Sequence, residues 1–321
     1  MNQMTIKETA DWLAERNNFL VLTHLRPDGD TLGSAAGLCQ GLTEMGKIAR
    51  MLPNPETTET YAGFMMPYLA GAGFWYDHVI SIDTAGENQF QINGTTFSGG
   101  VDLCIDHHVS NTGYAKNTCV DSGRASCGEV IYEILMTLSG SISAKTAKLL
   151  YIAVSTDTGC FCYGNTNALT LDTAARLVEA GAPNALLNKK LFRTKSKARL
   201  QLEAEIISAM EYYFDGAVGV AFLTQAMRER SGAREEDTED IASMPGQVEG
   251  VRAGITLREL APDQTKISVR TTAGSGGMDA NIICQQLGGG GHPLAAGCTV
   301  EADVQTARDQ ILKVIGDVWK S

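Results

Sequence analysis

Three short apolar runs in the first third of the chain each end in side chains that can bind a cation. "FLVLTH" ends at His24, "HVISID" at Asp83, and "VDLCIDHH" at Asp106, His107 and His108. Strand-like runs alternate here with helical patterns, which is typical of an α/β domain with a mainly parallel sheet. Such sheets bind ligands at the carboxyl ends of their strands. The sequence therefore predicts that these polar side chains meet at one edge of a sheet.

A tight turn follows the first of these runs. In "THLRPDGDTLGS", Pro27 and Gly29 set the turn, and Asp28 and Asp30 can diverge to either side of it. Aspartates in a Pro-Gly turn often serve only to form the turn and bind no ligand. The ligand interpretation gains support from the strand-end acids and from one more carboxylate, Asp157, which ends a helical pattern in "YIAVSTDTGCF".

The gathering of these acids favours bound cations. Unpaired carboxylates in one place raise each other's pKa values, and cations remove the repulsion. Carboxylate and imidazole ligands without thiolate suit Mn(II), whereas Fe(II), Co(II) and Zn(II) suit the set less well. Two metals about 3.5–4 Å apart would bind a bridging hydroxide and a phosphoryl oxygen, as in many phosphatases and nucleases.

The composition limits the class of partner. The net charge is −11, which argues against a protein that grips long nucleic acid through many phosphates and leaves a short anionic substrate open. The apolar runs are too short for a bilayer span, and the N-terminal segment lacks the apolar core of a signal peptide. Eight cysteines without a CxxC pair predict neither a disulfide framework nor a structural zinc site. We therefore expect a cytoplasmic protein with no membrane partner.

The second half of the chain has a different pattern of predicted helices and strands. The charged segment "LLNKKLFRTKSKARLQLEAEIISAM" contains no Gly or Pro and predicts a connecting helix, and strand-like runs begin after Gly216. We predict an α/β domain with a mainly parallel sheet at 1–190, a linker helix at 191–215 and a smaller α+β domain at 216–321.

A glycine run near the C-terminus, "GGGGHPLAAG", favours phosphate recognition. Gly288–Gly291 lack a Cβ atom, so their backbone N–H groups can approach a phosphate closely. His292 adds a donor or a positive charge, and the forked guanidinium of Arg270 in "SVRTT" suits a phosphate. Glycines alone are more often a flexible turn, but the neighbouring cations favour a binding role.

Five of these motifs resemble, in their order and spacing, those of a known family. "HLRPDGD", "SID", "IDHH" and "STDTG" resemble the four metal-site motifs of the Asp-His-His (DHH) phosphoesterases, and "GGGGHPLAAG" resembles the signature of the DHH-associated domain that follows them. The resemblance spans nearly the whole chain. In size and domain order the chain resembles the NrnA-type group, which hydrolyses nano-RNA and 3′-phosphoadenosine 5′-phosphate (pAp).

The resemblance implies a role for each motif, with an active site in the cleft between the two domains. The implied metal ligands are His24, Asp28 and Asp83 for one Mn²⁺ and Asp30, Asp83, His107 and Asp157 for the other. The implied catalytic residues are Asp106, which orients an imidazole, His107, and His108, which faces the substrate phosphate or braces the site. The implied substrate-binding residues are Ser126, Arg270, Gly288, Gly289, Gly290, Gly291 and His292. Mg²⁺ or Co²⁺ could substitute for Mn²⁺.

Some positions depart from the family pattern or stay undecided. Ser126 could donate to a phosphate at a helix N-terminus, but Cys127 and Gly128 follow it where relatives often carry Ser or Thr. The basic segment "KKLFRTKSKAR" is either a solvated helix face or part of the cleft. The roles of Arg124, Lys195 and Arg199 stay open. We interpret Cys160 and Cys162 as core thiols.

The implied reaction is hydrolysis of short RNA and pAp by metal-assisted hydroxide attack. Three alternatives remain: a phosphodiesterase for linear or cyclic dinucleotides, an exopolyphosphatase or pyrophosphatase, and a non-catalytic nucleotide-binding module. The glycine loop argues against a pyrophosphatase of this superfamily, and the complete set of metal ligands argues against a non-catalytic module. Neither a homodimer nor the preferred substrate can be decided from the sequence.

Overall fold

The computed structural model describes residues 2–238, 240–272 and 278–319. The chain divides into two compact units, Met1–Thr194 and Lys195–Ser321. Within the described ranges, no helix combines the length and the apolar character that a membrane span requires.

A parallel sheet forms the centre of the N-terminal unit. Its strands are β1 (Asn2–Gln3), β2 (Phe19–Leu22), β3 (Ala49–Met51), β4 (His78–Ile82), β5 (Leu103–Asp106) and β6 (Asn117–Val120). They lie in the order β1-β6-β5-β4-β2-β3, and every pairing is parallel. β2, β4 and β5 are almost wholly buried, as apolar strands covered on both faces should be. The predicted α/β fold with a mainly parallel sheet is confirmed.

Helices cover this sheet. They are α1 (Ile6–Ala14), α2 (Gly29–Glu44), α3 (Glu59–Met65), α4 (Cys127–Ser139), α5 (Ala144–Asp157), α6 (Ala168–Glu179) and α7 (Asn184–Asn188). Polar side chains cap several of them: Asp28 accepts from two backbone N–H groups at the start of α2, and Ser143 does the same for α5. The caps fix the residues at which α2 and α5 begin. They therefore also fix the positions of Asp30 in α2 and Asp157 in α5.

A stripe of glycines along α2 lets α5 approach closely. Gly29, Gly33 and Gly37 recur at every fourth position and so share one helix face. A Cβ atom built on Gly33 would lie 2.7 Å from the Leu149 carbonyl oxygen and 2.8 Å from the Ala153 nitrogen. Since these are backbone atoms, no side-chain movement could relieve the overlap. The stripe fixes the distance between the helices that carry Asp30 and Asp157.

The C-terminal unit contains a mixed sheet with helices. The helices are α8 (Lys197–Ser208), α9 (Gln225–Ser231), α10 (Ala280–Gln285) and α11 (Val304–Val318). The strands are β7 (Glu211–Tyr213), β8 (Val218–Leu223), β9 (Ala253–Ala261), β10 (Gln264–Thr271), β11 (Gly290–His292) and β12 (Ala295–Val300). They lie in the order β11-β12-β10-β9-β8-β7, with only the β8–β9 pairing parallel. This sheet confirms the predicted α+β character of the region.

The segment predicted as a linker helix at 191–215 is not one helix. A π-helical turn at Lys189–Arg193 follows α7, Thr194 is extended, and α8 begins after Ser196, whose hydroxyl caps it. The α8 side chains of Leu202 and Ile206 are buried in the core of the C-terminal unit. The pattern without Gly or Pro did not reveal this interruption, because a capping serine starts a new helix as effectively as a glycine ends one.

We expect Gly33→Ala to lower the free energy of unfolding by about 1–3 kcal/mol, because its methyl group meets backbone atoms of α5. Thermal or urea unfolding measures the change. Gly63→Ala in α3 is the matched control: a Cβ atom there meets nothing within 4 Å. It should raise the stability by about 0.5–1 kcal/mol, because alanine favours a helix interior. Equal stability of the two variants would contradict this description of the α2–α5 contact.

Candidate metal centre

The carboxyl ends of three neighbouring strands bring polar side chains together. His24 lies shortly beyond β2, Asp83 directly follows β4, and His107 directly follows β5. β4 pairs with both β2 and β5, so the three positions lie side by side. Asp30 in the first turn of α2 and Asp157 at the end of α5 join them. The strand-end clustering predicted from the sequence is therefore present in the structure.

Asp83 occupies the middle of the cluster. Its backbone is left-handed, with φ of 55°, and its N–H donates to the Ile105 carbonyl at 2.9 Å. Its carboxylate is 3% exposed; Oδ2 lies 3.6 Å from His24 Nε2 and Oδ1 lies 3.4 Å from His107 Nε2. Oδ1 is buried and accepts no hydrogen bond from any residue that the structure describes. A buried carboxylate oxygen without a donor is stable only if a positive charge is close by.

Asp30 is anchored by the N-terminus of α4. Its Oδ2 accepts from the Cys127 N–H at 2.7 Å, and its Oδ1 accepts from the Gly128 N–H at 3.0 Å and the Ser34 hydroxyl at 3.0 Å. The helix dipole favours an anion at this place. Asp30 Oδ2 is also 3.7 Å from His107 Nε2, and so is Asp157 Oδ2.

Among the described residues, three sets of side chains could each hold a cation. The sets are His24, Asp28 and Asp83; Asp30, His107 and Asp157; and Asp83, His107 and His108. Within each set the ligand atoms lie within 4.8 Å of one another. Donors about 2.0–2.2 Å from one cation stand about 3–3.7 Å apart, which is the spacing of the shortest contacts here. The donor types and the unpaired Asp83 oxygen fit divalent cations.

Backbone carbonyls orient the two central imidazoles. His24 Nδ1 lies 2.8 Å from the Leu25 carbonyl oxygen, and His107 Nδ1 lies 3.3 Å from that of Arg124. An Nδ1–H donated to a carbonyl leaves Nε2 as the lone-pair nitrogen, which points at the acids. Each imidazole is therefore prepared to bind a cation through Nε2.

Asp106 orients His108 rather than His107. Its Oδ1 lies 2.7 Å from His108 Nδ1 and accepts from the His107 backbone N–H at 2.8 Å. Its Oδ2 accepts from Asn111 Nδ2 at 2.7 Å. The sequence placed Asp106 behind an imidazole without deciding which one, and the structure identifies it as that of His108. The Asp106 carboxylate is the largest influence raising the pKa of His108.

Without a cation, the two histidines are protonated, and the neighbouring carboxylates stabilise their positive charge. Burial opposes the imidazolium of His24, but Asp28 and Asp83 raise its pKa to about 9. Burial also opposes that of His107, and Asp83, Asp30 and Asp157 raise its pKa to about 10. Burial raises the pKa of Asp157 to about 6, against the opposing effect of His107. A divalent cation would have to displace these protons.

The side-chain amide of Asn165 joins two parts of this site. Its Nδ2 donates to the Ala125 carbonyl at 3.1 Å and to the Asp157 carbonyl at 3.1 Å. Ala125 follows Arg124, whose carbonyl orients His107. Asn165 thus links the backbone segment that orients His107 to the backbone of Asp157. Asn165 was not predicted from the sequence, where its only signal is an amide side chain soon after "STDTG".

Ser126 is not placed for the role predicted from the sequence. It is fully buried, and its hydroxyl accepts from the Glu129 N–H at 3.3 Å as the cap of α4. The first N–H groups of that helix, which have no acceptor within the helix, belong to Cys127 and Gly128. Both donate to Asp30. The helix N-terminus therefore binds a carboxylate of the protein, so it is not open to a substrate phosphate.

The glycine loop is also built differently from the predicted amide cradle. The N–H groups of Gly288, Gly289 and Gly291 donate to Gln285, Cys284 and Asn281, and those of Gly290 and His292 lie in strand β11. A Cβ atom on Gly289 would lie 2.2 Å from the Gly297 carbonyl oxygen. The glycines therefore permit close packing of β11 on β12. His292 is exposed, and Arg270 lies on β10.

Five further side chains singled out by the sequence are explained by their contacts and exposure. Lys195 and Arg199 both bind Glu203, at 2.8 and 2.6 Å, and Arg124 binds Asp121 at 3.0 Å. These cations are engaged with protein carboxylates. Cys162 is exposed, so its interpretation as a core thiol was wrong; Cys160 is half-buried.

We expect the affinity of the apoprotein for Mn(II) to rise with pH. His24 and His107 have pKa values raised to about 9 and about 10, so both are protonated at neutral pH and must release protons on binding. Calorimetry in buffers of different ionisation enthalpy counts the protons released. An affinity that is constant between the pKa of Asp157, about 6, and that of His24, about 9, would contradict this picture.

We expect Asn165→Ala to weaken one of two Mn(II) sites by about 10–100-fold, because the supports of His107 and Asp157 are no longer joined. Calorimetry or electron paramagnetic resonance would then count one tightly bound Mn(II), where we expect the unchanged protein to bind two. Asn167→Ala is the control, since Asn167 caps α6. That variant should lose about 1 kcal/mol of stability and keep both sites. Two tight sites in Asn165→Ala would refute the proposed role.

Comparison with known proteins agrees with this geometry. Residues 18–154 match the N-terminal domain of the DHH family, and residues 216–321 match the DHHA1 domain. The chain is 30% identical over 304 residues to the bifunctional oligoribonuclease and PAP phosphatase NrnA of Thermus thermophilus, covering 92% of this chain and 88% of that protein. It is 29% identical over 295 residues to the protein of the same name from Bacillus subtilis, covering 86% and 87%.

A solved structure shares the fold. The crystal structure of an exopolyphosphatase-related protein from Bacteroides fragilis superposes with a TM-score of 0.87 at 20% identity, covering 98% of this chain and 96% of that one. At this identity the match supports the fold and leaves the substrate open. From the two domain matches and the Thermus relative, we conclude that the chain belongs to the DHH family, carries a DHHA1 domain, and is a hydrolase that acts on phosphoester bonds.

Proposed function

We propose that this protein hydrolyses short oligoribonucleotides and pAp with two Mn²⁺ ions. The observation that carries the proposal is Asp83, a buried carboxylate placed between the ligand set of His24 and Asp28 and the ligand set of Asp30, His107 and Asp157. The names of the Thermus and Bacillus relatives support the choice of substrates. Two cations in such a site would activate water and neutralise charge on the phosphoryl oxygens.

The protein's own residues would perform three tasks in this reaction. Asp28, Asp30, Asp83 and Asp157 would bind the cations, together with the Nε2 atoms of the two oriented imidazoles. The α4 amides would keep the Asp30 carboxylate fixed, because they donate to both of its oxygens. Burial and the neighbouring carboxylates of Asp83 and Asp157 raise the pKa of Asp30, so a bound cation would be needed to keep it ionised. A fixed ligand set gives up little free energy to reorganisation during the reaction.

His108 would supply a proton at the substrate side. Its side chain is 44% exposed, and Asp106 holds Nδ1 at 2.7 Å and raises the pKa of the ring. The second ring nitrogen, Nε2, can then donate a hydrogen bond to a phosphoryl oxygen or protonate the leaving oxygen. This role extends the orienting function that the sequence assigned to Asp106.

The charge of the chain is consistent with small substrates. At −11 it disfavours a long nucleic acid, whereas a dinucleotide or pAp needs only a few local cations. We propose short RNA and nucleotides as the substrates, with no long duplex partner. A cytoplasmic location stays a prediction, and a homodimer stays undecided.

We expect Mn(II)-dependent release of phosphate from pAp and of mononucleotides from a dinucleotide RNA, and little turnover of a long single strand. His107→Ala should lower kcat/KM for both small substrates by at least about 100-fold, because it removes a ligand. His78→Ala is the matched control, because His78 lies on β4 near Asp102, outside the three ligand sets. Turnover confined to long strands, or to polyphosphate without competition by adenosine monophosphate, would refute the proposal.

A further inference from the structure

Two lysines of the N-terminal unit lie against the same aromatic ring. The Nζ atom of Lys148 lies 4.8 Å from the centroid of the Phe64 ring, and that of Lys190 lies 4.1 Å from it. The two ammonium nitrogens are therefore less than 9 Å apart, the sum of these distances. Lys148 is half-buried on α5, and Lys190 is exposed in the π-helical turn after α7. The fold thus brings together two positive charges that are distant in the sequence.

This lysine pair has no acidic partner among the residues that the structure describes. Neither lysine forms an ion pair there, and the segments that carry them, 140–156 and 180–194, contain no Asp or Glu. Lysine stems often cover an aromatic ring while the charged end stays in water, but here the charged ends themselves lie at the ring. The ring attracts the ammonium groups without cancelling their charge. In a chain with net charge −11, this pair favours an anionic ligand.

A third cation connects the lysine pair to the candidate metal centre. Arg193 is exposed and ends the π-helical turn that contains Lys190. Burial raises the pKa of the Cys160 thiol and the charge of Arg193 opposes this rise, so Arg193 lies near the loop that follows Asp157. Lys148 precedes Asp157 on α5 by about 13–14 Å, because a helix rises about 1.5 Å per residue. We call Lys148, Lys190 and Arg193 the basic track.

An exposed aromatic ring lies where the basic track meets the metal centre. Tyr163 is 54% exposed, and its ring packs on Gly159, where an added Cβ atom would lie 2.4 Å from it. Gly159 is the second residue after Asp157, so the ring lies beside a proposed metal ligand. Cations next to an exposed ring suit single-stranded nucleic acid, whose phosphates contact the cations and whose bases stack on the ring. Polyphosphate and acidic peptides carry no base that could use it.

We propose that the basic track binds phosphates of an RNA substrate beyond the nucleotide at the metal centre. Lys148 and Lys190 bind one phosphate between their ammonium groups, and Arg193 binds a phosphate closer to the centre. The ligand is therefore a single-stranded oligoribonucleotide of a few nucleotides. The inference rests on the proposed function and deepens it, because binding then depends on chain length. pAp is a single nucleotide and does not extend from the metal centre to the lysine pair.

The test compares Lys190→Gln with Lys313→Gln, which removes the same charge from an exposed position on α11. Both changes are made in the His107→Ala background, and binding of an RNA pentanucleotide, an RNA dinucleotide and pAp is measured by calorimetry. We expect Lys190→Gln to weaken pentanucleotide binding by about tenfold, and the slope of log affinity against log salt to fall by about one. Binding of the dinucleotide and pAp should change by less than about twofold, and Lys313→Gln should change none of the three.

A second variant separates the charge of Lys190 from its packing on Phe64. Lys190→Arg keeps the positive charge and can still lie against the ring. It should bind the pentanucleotide within about twofold of the background protein. Thermal unfolding should show both Lys190 variants to be as stable as that protein, because the side chain is exposed. If Lys190→Arg loses as much affinity as Lys190→Gln, the charge is not what binds the RNA, and the proposal is wrong.

Equal effects of Lys190→Gln on pAp and the pentanucleotide would overturn the proposal, and so would no effect on either. A larger effect on a short polyphosphate or a polyglutamate peptide than on RNA would also overturn it, by assigning the basic track to that anion. Turnover of the unsubstituted, Mn(II)-loaded enzyme separates this result from the proposed function. If that enzyme hydrolyses pAp and the dinucleotide while Lys190→Gln behaves like Lys313→Gln, only the proposed role of the basic track is wrong. If it hydrolyses neither, the proposed function is wrong.

Discussion

The burial of the Asp83 carboxylate is the constraint on which the N-terminal site depends. The left-handed backbone at Asp83 turns the chain as β4 ends, and its carboxylate lies between the imidazoles of His24 and His107. A carboxylate removed from water costs several kcal/mol unless positive charge compensates it. In the cation-free protein the protonated imidazoles provide that charge, and the same nitrogen atoms are the ones that divalent cations would take. We therefore expect metal binding at this site to release the protons of these imidazoles.

The rest of the fold keeps the other acids at the correct distance from Asp83. The glycine stripe of α2 permits close contact with α5, which brings Asp30 and Asp157 within 3.7 Å of one imidazole nitrogen. The N-terminus of α4 then binds Asp30 through two backbone amides. Helix N-termini often bind substrate phosphates, but here the dipole favours the Asp30 carboxylate, which we propose as a ligand of the metal centre. Substrate phosphate must therefore be bound by other groups, and His108 is the exposed candidate in this unit.

The sequence predicted the carboxylates and imidazoles that meet at the strand ends. Apolar runs ending in His24, Asp83 and His107 indicated strand ends, and parallel pairing places such ends side by side. The groups that orient the imidazoles could not be predicted, because the carbonyls of Leu25 and Arg124 have no signature in a sequence. The glycine run was misread in part: the amides of Gly288, Gly289 and Gly291 are bonded within the protein, since the loop continues into a strand whose pairing exists only in the folded chain. The prediction of one linker helix was wrong for a similar reason, because a capping serine within a charged segment is a weak sequence signal for the start of a new helix.

The most direct test of the central claim is a crystal soaked in MnCl₂ and measured at a wavelength where manganese scatters anomalously. We predict two anomalous peaks in the N-terminal unit that share the Asp83 carboxylate, one beside His24 and the other beside His107. A single peak without contact to Asp83, or no peak at concentrations that support turnover, would contradict a shared dimetal centre.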